Sequence, residues 1–215
     1  MLSPGDYWKS VPLGLIPNLR FRLKLMAKCR QSSAVRQAVL KMCRDDIVFW
    51  IAAFGWQYDP RRPAKARVRP FIPCDYQVEA LISQNPEEPG ILWCLDHQED
   101  MLLEKSRDMG ITYLCLFVAA WQFLFHPETA VLAISRHADA VEKPGDHKSL
   151  FWKVDFILDH LPKWMLQGYD KTSPKHRQKF LFAHPNLSTI TGEASTGSAL
   201  VGGRGAWAFV DEFSQ

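Results

Sequence analysis

Residues Asp100 to Thr112 read DMLLEKSRDMGIT. An apolar run, Met101-Leu102-Leu103, leads into the charged turn Glu104-Lys105-Ser106-Arg107-Asp108, and Met109-Gly110-Ile111-Thr112 opens a long apolar segment, Tyr113 to Phe125. That order predicts a strand, a phosphate-binding loop and a helix. The first N–H groups of a helix have no partner inside it and lie at the positive end of its dipole, so they suit a bound anion. A glycine lets the backbone come close to that anion, and a hydroxyl after it can hold Mg²⁺. Set against the pattern G-x-x-x-x-G-K-[ST], Gly110 takes the second glycine position and Thr112 the hydroxyl. Lys105 then stands at the first glycine position and Ile111 where the lysine usually is. The loop keeps its glycine and hydroxyl and carries its cation at the other end, with Arg107 as a second. Taken alone, the same residues also suit a plain strand, charged turn and helix.

Downstream, Thr129 to Ser135 (TAVLAIS) is an unbroken apolar run of the kind found in central parallel strands, and its tip Ser135-Arg136-His137 is where α/β sheets place ligands. Lys143-Pro144-Gly145-Asp146 turns the chain into an amphipathic helix, Leu150 to Leu161. Lys171 to Lys179 reads as a polar surface loop, and Phe180 to Ala183 with Ser188 to Thr191 as a hairpin. The Gly-rich stretch from Gly192 to Gly205 runs to Trp207-Ala208-Phe209-Val210-Asp211-Glu212, an apolar strand that ends in two carboxylates. A nucleotidase needs that pair: one acid positions the hydration shell of Mg²⁺ and the other orients or deprotonates the attacking water. Adjacent side chains on a strand point to opposite faces, so the pair can share a site only at the strand's end.

Upstream, apolar positions at three- and four-residue spacing from Val35 to Phe54 predict one amphipathic helix capped by Ser32-Ser33, preceded by a short helix near Leu19 to Lys28. Asp45-Asp46 reads as a solvated turn of that helix. Tyr58 to Pro73 holds four prolines and the cations Arg61, Arg62, Lys65, Arg67 and Arg69, which predicts an extended connector. Its charges are expected to be solvated, with contact to a phosphate backbone as the alternative. Asp75-Tyr76-Gln77 opens a helix. Tyr76 and Gln77 there suit either stacking on adenine and bonding to its edge, or a helix start with a packed tyrosine. Ile91 to Leu95 is expected to be a strand.

At 215 residues and 47% hydrophobic, the chain can bury a real core and is no disordered segment. Its net charge of +3 leaves nucleic-acid contact to local patches. Five single cysteines without a C-x-x-C pair read as reduced thiols of a cytosolic protein, and dispersed histidines argue against zinc. No segment predicts a signal peptide or a membrane span.

From Cys43 onward the chain resembles the large terminase subunit of tailed bacteriophages. The likeness lies in DDIVFWIAAFGWQYDPR (Asp45 to Arg61), PFIPCDYQ (Pro70 to Gln77), EKSRDMGIT (Glu104 to Thr112), SRHADAVEKPGDHKSLFWK (Ser135 to Lys153), STITGEAS (Ser188 to Ser195) and GGRGAWAFVDEFS (Gly202 to Ser214). It implies an α/β fold, a P-loop NTPase with a mostly parallel sheet of the RecA-like, additional-strand catalytic-glutamate type. An N-terminal helical segment (1–59) would precede a partial P-loop ATPase domain (60–215).

The implied activity is ATP hydrolysis with ATP and Mg²⁺ as cofactors, driving double-stranded viral DNA into a procapsid in the cytoplasm of a bacterial host. The implied partners are the portal protein and the small terminase subunit, with an oligomeric ring as the working form. Tyr76 and Gln77 would recognise adenine, and Lys105, Ser106, Arg107, Asp108, Met109, Gly110, Ile111 and Thr112 would form a divergent Walker A loop. Lys105 and Arg107 would do the work of the usual lysine, Thr112 and Asp211 would hold the metal, and Glu212 would be the catalytic glutamate. Arg204 either contacts phosphate or is a loop cation.

The chain departs from that family by stopping at Gln215, without the strand expected between the Walker A and Walker B strands and without a nuclease domain. The isolated chain is therefore expected to hydrolyse ATP poorly or not at all. Two other readings remain: a helicase-like P-loop motor, and a non-catalytic prophage remnant that binds only nucleotide or DNA.

Overall fold

The structure is a computed structural model and describes residues 5–104, 106, 109–195 and 206–211. It is a mixed α/β chain whose described residues form two compact units, residues 1–56 with 70–114, and residues 57–69 with 115–215. The sequence-based division at residue 59 cuts the chain differently.

The first unit is helical. Helices α1 (Leu15–Gln31), α2 (Ser33–Asp45) and α3 (Ile47–Phe54) follow one another, with Cys29, Val39 and Cys43 buried from the first two. All eight residues of α3 are buried. The single helix expected from Ser32 to Phe54 breaks at Asp46, because a side chain that caps a new helix competes with continuation of the old one. Asp46 Oδ1 accepts the Phe49 N–H at 2.8 Å, and Oδ2 accepts the Trp8 N–H at 2.9 Å. Asp46 is 0% exposed, which corrects its reading as part of a solvated turn.

Short strands β1 (Trp56–Tyr58) and β2 (Val68–Pro70) pair where an extended connector was expected. Helix α4 (Asp75–Ile82) follows, then the tiny hairpin of β3 (Gln84–Asn85) and β4 (Glu88–Pro89). Ile91 to Leu95 belongs to helix α5 (Ile91–His97), not to a strand. The Cys94 N–H bonds the Gly90 carbonyl at 3.1 Å, and the pair buried toward the core, Ile91 and Cys94, is spaced by three. Met101 to Leu103 forms no strand either. Leu102 is 76% exposed there, so the run does not bury the apolar surface that would offset the ordering of a strand.

Helix α6 (Ile111–Phe125) is apolar on nearly all sides and buried to match. The second unit is built on a five-stranded mixed sheet of order β6-β7-β8-β5-β9. Its members are β5 (Ala130–Ser135), β6 (Arg177–Gln178), β7 (Leu181–Ala183), β8 (Thr189–Ala194) and β9 (Trp207–Val210). As expected, β5 is an internal parallel strand, paired with β8 on one side and β9 on the other, and β7 and β8 form the antiparallel hairpin.

Helices α7 (Ala138–Val141) and α8 (Leu150–Asp159) follow β5. Gly192 in β8 allows their close approach, since a Cβ there would lie 2.6 Å from Val141 Cγ1 and 2.9 Å from the Phe151 ring. No helix among the described residues is long and apolar enough to cross a membrane.

Candidate nucleotide site

Two side chains of α4 converge on one carbonyl at the end of the charged loop. Tyr76 Oη donates to the Met109 carbonyl at 2.7 Å, and Gln77 Nε2 donates to the same oxygen at 2.8 Å. The other end of the Gln77 amide is occupied too, because its Oε1 accepts the Cys74 N–H at 3.0 Å. That contact closes the first turn of α4, the usual task of a glutamine three residues after the cap. Gln77 is thereby fixed and 5% exposed, while Tyr76 leaves 40% of its surface open. Partial burial raises the Tyr76 phenol above its ordinary pKa.

Gly110 follows the shared carbonyl with φ at +74°, in the left-handed region. A Cβ at this position would lie 2.8 Å from Gln77 Nε2, so both backbone angle and space ask for glycine. Helix α6 starts directly after it, with the Leu114 N–H on the Gly110 carbonyl at 3.0 Å. Phe71 supports the junction: its ring sits 6.4 Å from that of Tyr113 and 3.7 Å from the position of a Gly110 Cβ. Phe71 is held in turn by its N–H on the Gly55 carbonyl at 2.9 Å.

Beside Tyr76 lies an open groove of about 470 Å³ between α4, the β3–β4 hairpin and residues 100–103. Met101 and Leu103 supply apolar surface, and Glu79, Glu87, Glu88 and Asp100 line it with acid. Four carboxylates repel phosphate and favour neutral or donor-bearing groups, such as the amino edge of a base or a ribose.

In the second unit, Asp211 lies at the C-terminal tip of β9, where its N–H bonds the Ile134 carbonyl at 2.9 Å. It stands at the same end of the sheet as Ser135, which is 2% exposed, and His137, whose ring caps α7 through the Ala140 N–H at 3.0 Å. Carboxyl ends of parallel strands are where such sheets bind ligands.

Of the site residues expected from sequence, Tyr76, Gln77, Met109, Gly110, Ile111 and Thr112 meet at the loop–helix junction, and Ser106 is exposed. Asp211 belongs to the other unit. Lys105, Arg107, Asp108, Arg204 and Glu212 lie outside the described residues. Among the described residues no three His, Cys, Asp or Glu side chains gather as a metal cage.

Sequence reasoning did not single out Phe71 or the capping role of Gln77. The second was readable in the Cys74-to-Gln77 spacing. No protein-family model matches the chain, and no curated protein matches it in sequence.

Proposed function

We propose that the chain is the nucleotide-binding part of a P-loop ATPase of the phage large-terminase kind, a RecA-like motor that moves double-stranded DNA. The observation that carries this reading is the convergence of Tyr76 and Gln77 on the Met109 carbonyl, one residue before a left-handed Gly110 and the start of α6. Such ties place the aromatic face of Tyr76 next to the loop that leads into α6, as base recognition beside a phosphate loop requires. A base stacks on the open face of Tyr76 in the groove beside it, and Gln77 fixes the tyrosine and the loop in register.

The phosphates go to the first turn of α6, whose N–H groups and dipole favour anions, with Lys105 and Arg107 supplying positive charge. Thr112 in the first unit offers a hydroxyl and Asp211 in the second a carboxylate, each by itself a hard oxygen donor of the kind that suits Mg²⁺ and not zinc. Mg²⁺, when bound, would neutralise charge on the transferring phosphoryl group. Glu212 holds and orients the attacking water. The outer position of β9 among the described residues also supports the reading, since a sheet of this type places a further strand beside the Walker B strand.

Titration of the chain with a fluorescent ATP analogue and Mg²⁺ tests this. Saturable binding is expected, and Tyr76→Ala and Gly110→Ala should each weaken it by about tenfold or more, the cost of a lost stacking or φ-restricted contact. Absence of saturable binding, or variants that bind like the parent, would overturn the proposal.

A further inference from the structure

The ribbon from Gln57 to Arg69 carries charge out of proportion to the chain. Arg61, Arg62, Lys65, Arg67 and Arg69 against the single acid Asp59 give it +4, whereas the whole chain carries +3, so everything outside the ribbon sums to −1. The ribbon is ordered. The Asp59 N–H bonds the Arg67 carbonyl at 2.8 Å and the Arg62 N–H the Asp59 carbonyl at 3.2 Å, while Pro63 begins a short 3₁₀ turn, Ala64–Ala66.

Asp59 braces two of the cations. Its carboxylate, with a side chain 12% exposed, takes Arg61 Nε at 2.9 Å and Arg62 Nε at 3.5 Å. The hydrogen bond from Arg61 leads the causes that hold the Asp59 pKa below the usual carboxylate range, so it stays charged. Arg61 also reaches the carboxylate through Nη2, at 3.3 Å, and the Arg61 and Arg62 side chains are 60% and 56% exposed, so the brace holds both charges at the surface. Arg61, Arg62 and Lys65 are all exposed.

The base of the ribbon is anchored by Tyr58, whose ring lies 5.3 Å from His147, 5.4 Å from Trp152 and 6.1 Å from Phe156.

We infer that this ribbon is a contact surface for the phosphate backbone of duplex DNA. The choice of DNA rests on the motor reading above; the surface itself does not depend on the nucleotide site. Charge complementarity argues for a polyanion, and forked guanidinium donors match phosphate oxygens. A single strand is less suited, because its binders need open aromatic faces on which bases stack. Here Tyr58, Trp152 and Phe156 are packed on one another. The larger groove of the same unit, near Trp152 and Arg177, offers no competing surface, since its lining carries four cations and four acids.

The test is fluorescence anisotropy of the whole chain with a labelled duplex over a range of salt. Because each phosphate contact contributes about −0.9 to the slope of log K against log salt, the variant Arg61→Ala/Arg62→Ala/Lys65→Ala should flatten that slope by roughly three and weaken binding by about tenfold or more. Asp59→Asn keeps an oxygen for the turn and releases both arginines, so it should bind tighter, a gain that misfolding cannot mimic. The proposal is overturned if the triple variant keeps the parent's affinity and slope, if Asp59→Asn does not tighten binding, or if single strands or anionic phospholipid vesicles bind equally well. Nucleotide titration of the same preparations separates the two proposals: its failure removes the ATPase reading while the duplex result still stands or falls by itself.

Discussion

Arg22 in the first unit and Arg177 in the second are both drawn inward, and they are neutralised by different means. Arg22 is 5% exposed and donates to neutral oxygens: Asn18 Oδ1 at 2.7 Å and the carbonyls of Ala52 at 2.8 Å, Gly55 at 2.9 Å and Ile51 at 3.4 Å, with the Trp56 ring 5.3 Å from its guanidinium. Those carbonyls are the C-terminal end of α3, where the helix dipole is negative. Burial pulls the Arg22 pKa down to about 9. Arg177 instead meets two carboxylates, Glu142 at 2.6 Å and Asp155 at 3.0 Å, and its guanidinium lies over the Phe182 ring at 4.2 Å. Burial would lower its pKa, but bonds to Asp155 and Glu142 outweigh that and raise it. The first unit thus uses backbone dipoles to hold a cation, and the second uses an ion-pair cluster that also ties α7, α8 and β6 together. Helix α3 carries the same device at its other end, where Asp46 caps the positive pole.

Breaking the ion-pair cluster should have the largest effect. Arg177→Met leaves two partly buried carboxylates near each other, and should cost about 4 kcal/mol in urea unfolding, with part regained in Arg177→Met/Glu142→Gln. If the single variant is as stable as the parent, the cluster holds nothing.

Arg22→Met should cost less, about 3 kcal/mol, because lost charge-assisted bonds are offset by relief of a desolvated cation. It should also weaken nucleotide binding, since Gly55 holds both Arg22 and the Phe71 that supports the loop–helix junction. A cost larger than that of Arg177→Met would reverse the comparison.

The third effect concerns Asp46 and depends on pH. Burial raises its pKa from 3.8 to about 6, so the folded state holds a proton that the unfolded state has released. Its contribution is therefore full below about pH 4 and is lost as pH rises through about 6. The stability of the parent relative to Asp46→Asn should fall by about 3 kcal/mol over that window. A pH-independent difference would mean that the N–H bonds from Phe49 and Trp8 hold the carboxylate ionised throughout.

The strongest periodic segments were legible in the sequence. α6 and β5 could be read because a mainly apolar segment such as Tyr113 to Phe125, or a short run such as Thr129 to Ser135 with turn signals around it, has few alternatives. Ile91 to Leu95 was misread for the opposite reason. Five apolar residues suit strand or helix equally, and the outcome rested on Gly90 serving as the cap. At the candidate site, the residue types at the loop and at Tyr76-Gln77 could be read from order alone. The bonds from both side chains to one carbonyl could not, since 32 and 33 residues separate the partners.

What the sequence determined by itself is the alternation of apolar strands and helices, the glycine and hydroxyl that open α6, and the cationic composition between Tyr58 and Pro73. These follow from local preference and period, which each segment carries within it. Tertiary structure alone decided that Asp46 ends one helix and caps the next, that Arg22 lies against carbonyls while Arg177 lies against carboxylates, and that Gln77 is spent on the loop. Each of those outcomes depends on which distant groups share the same buried space, and the free energy of a buried charge is set by those neighbours and not by its place in the chain.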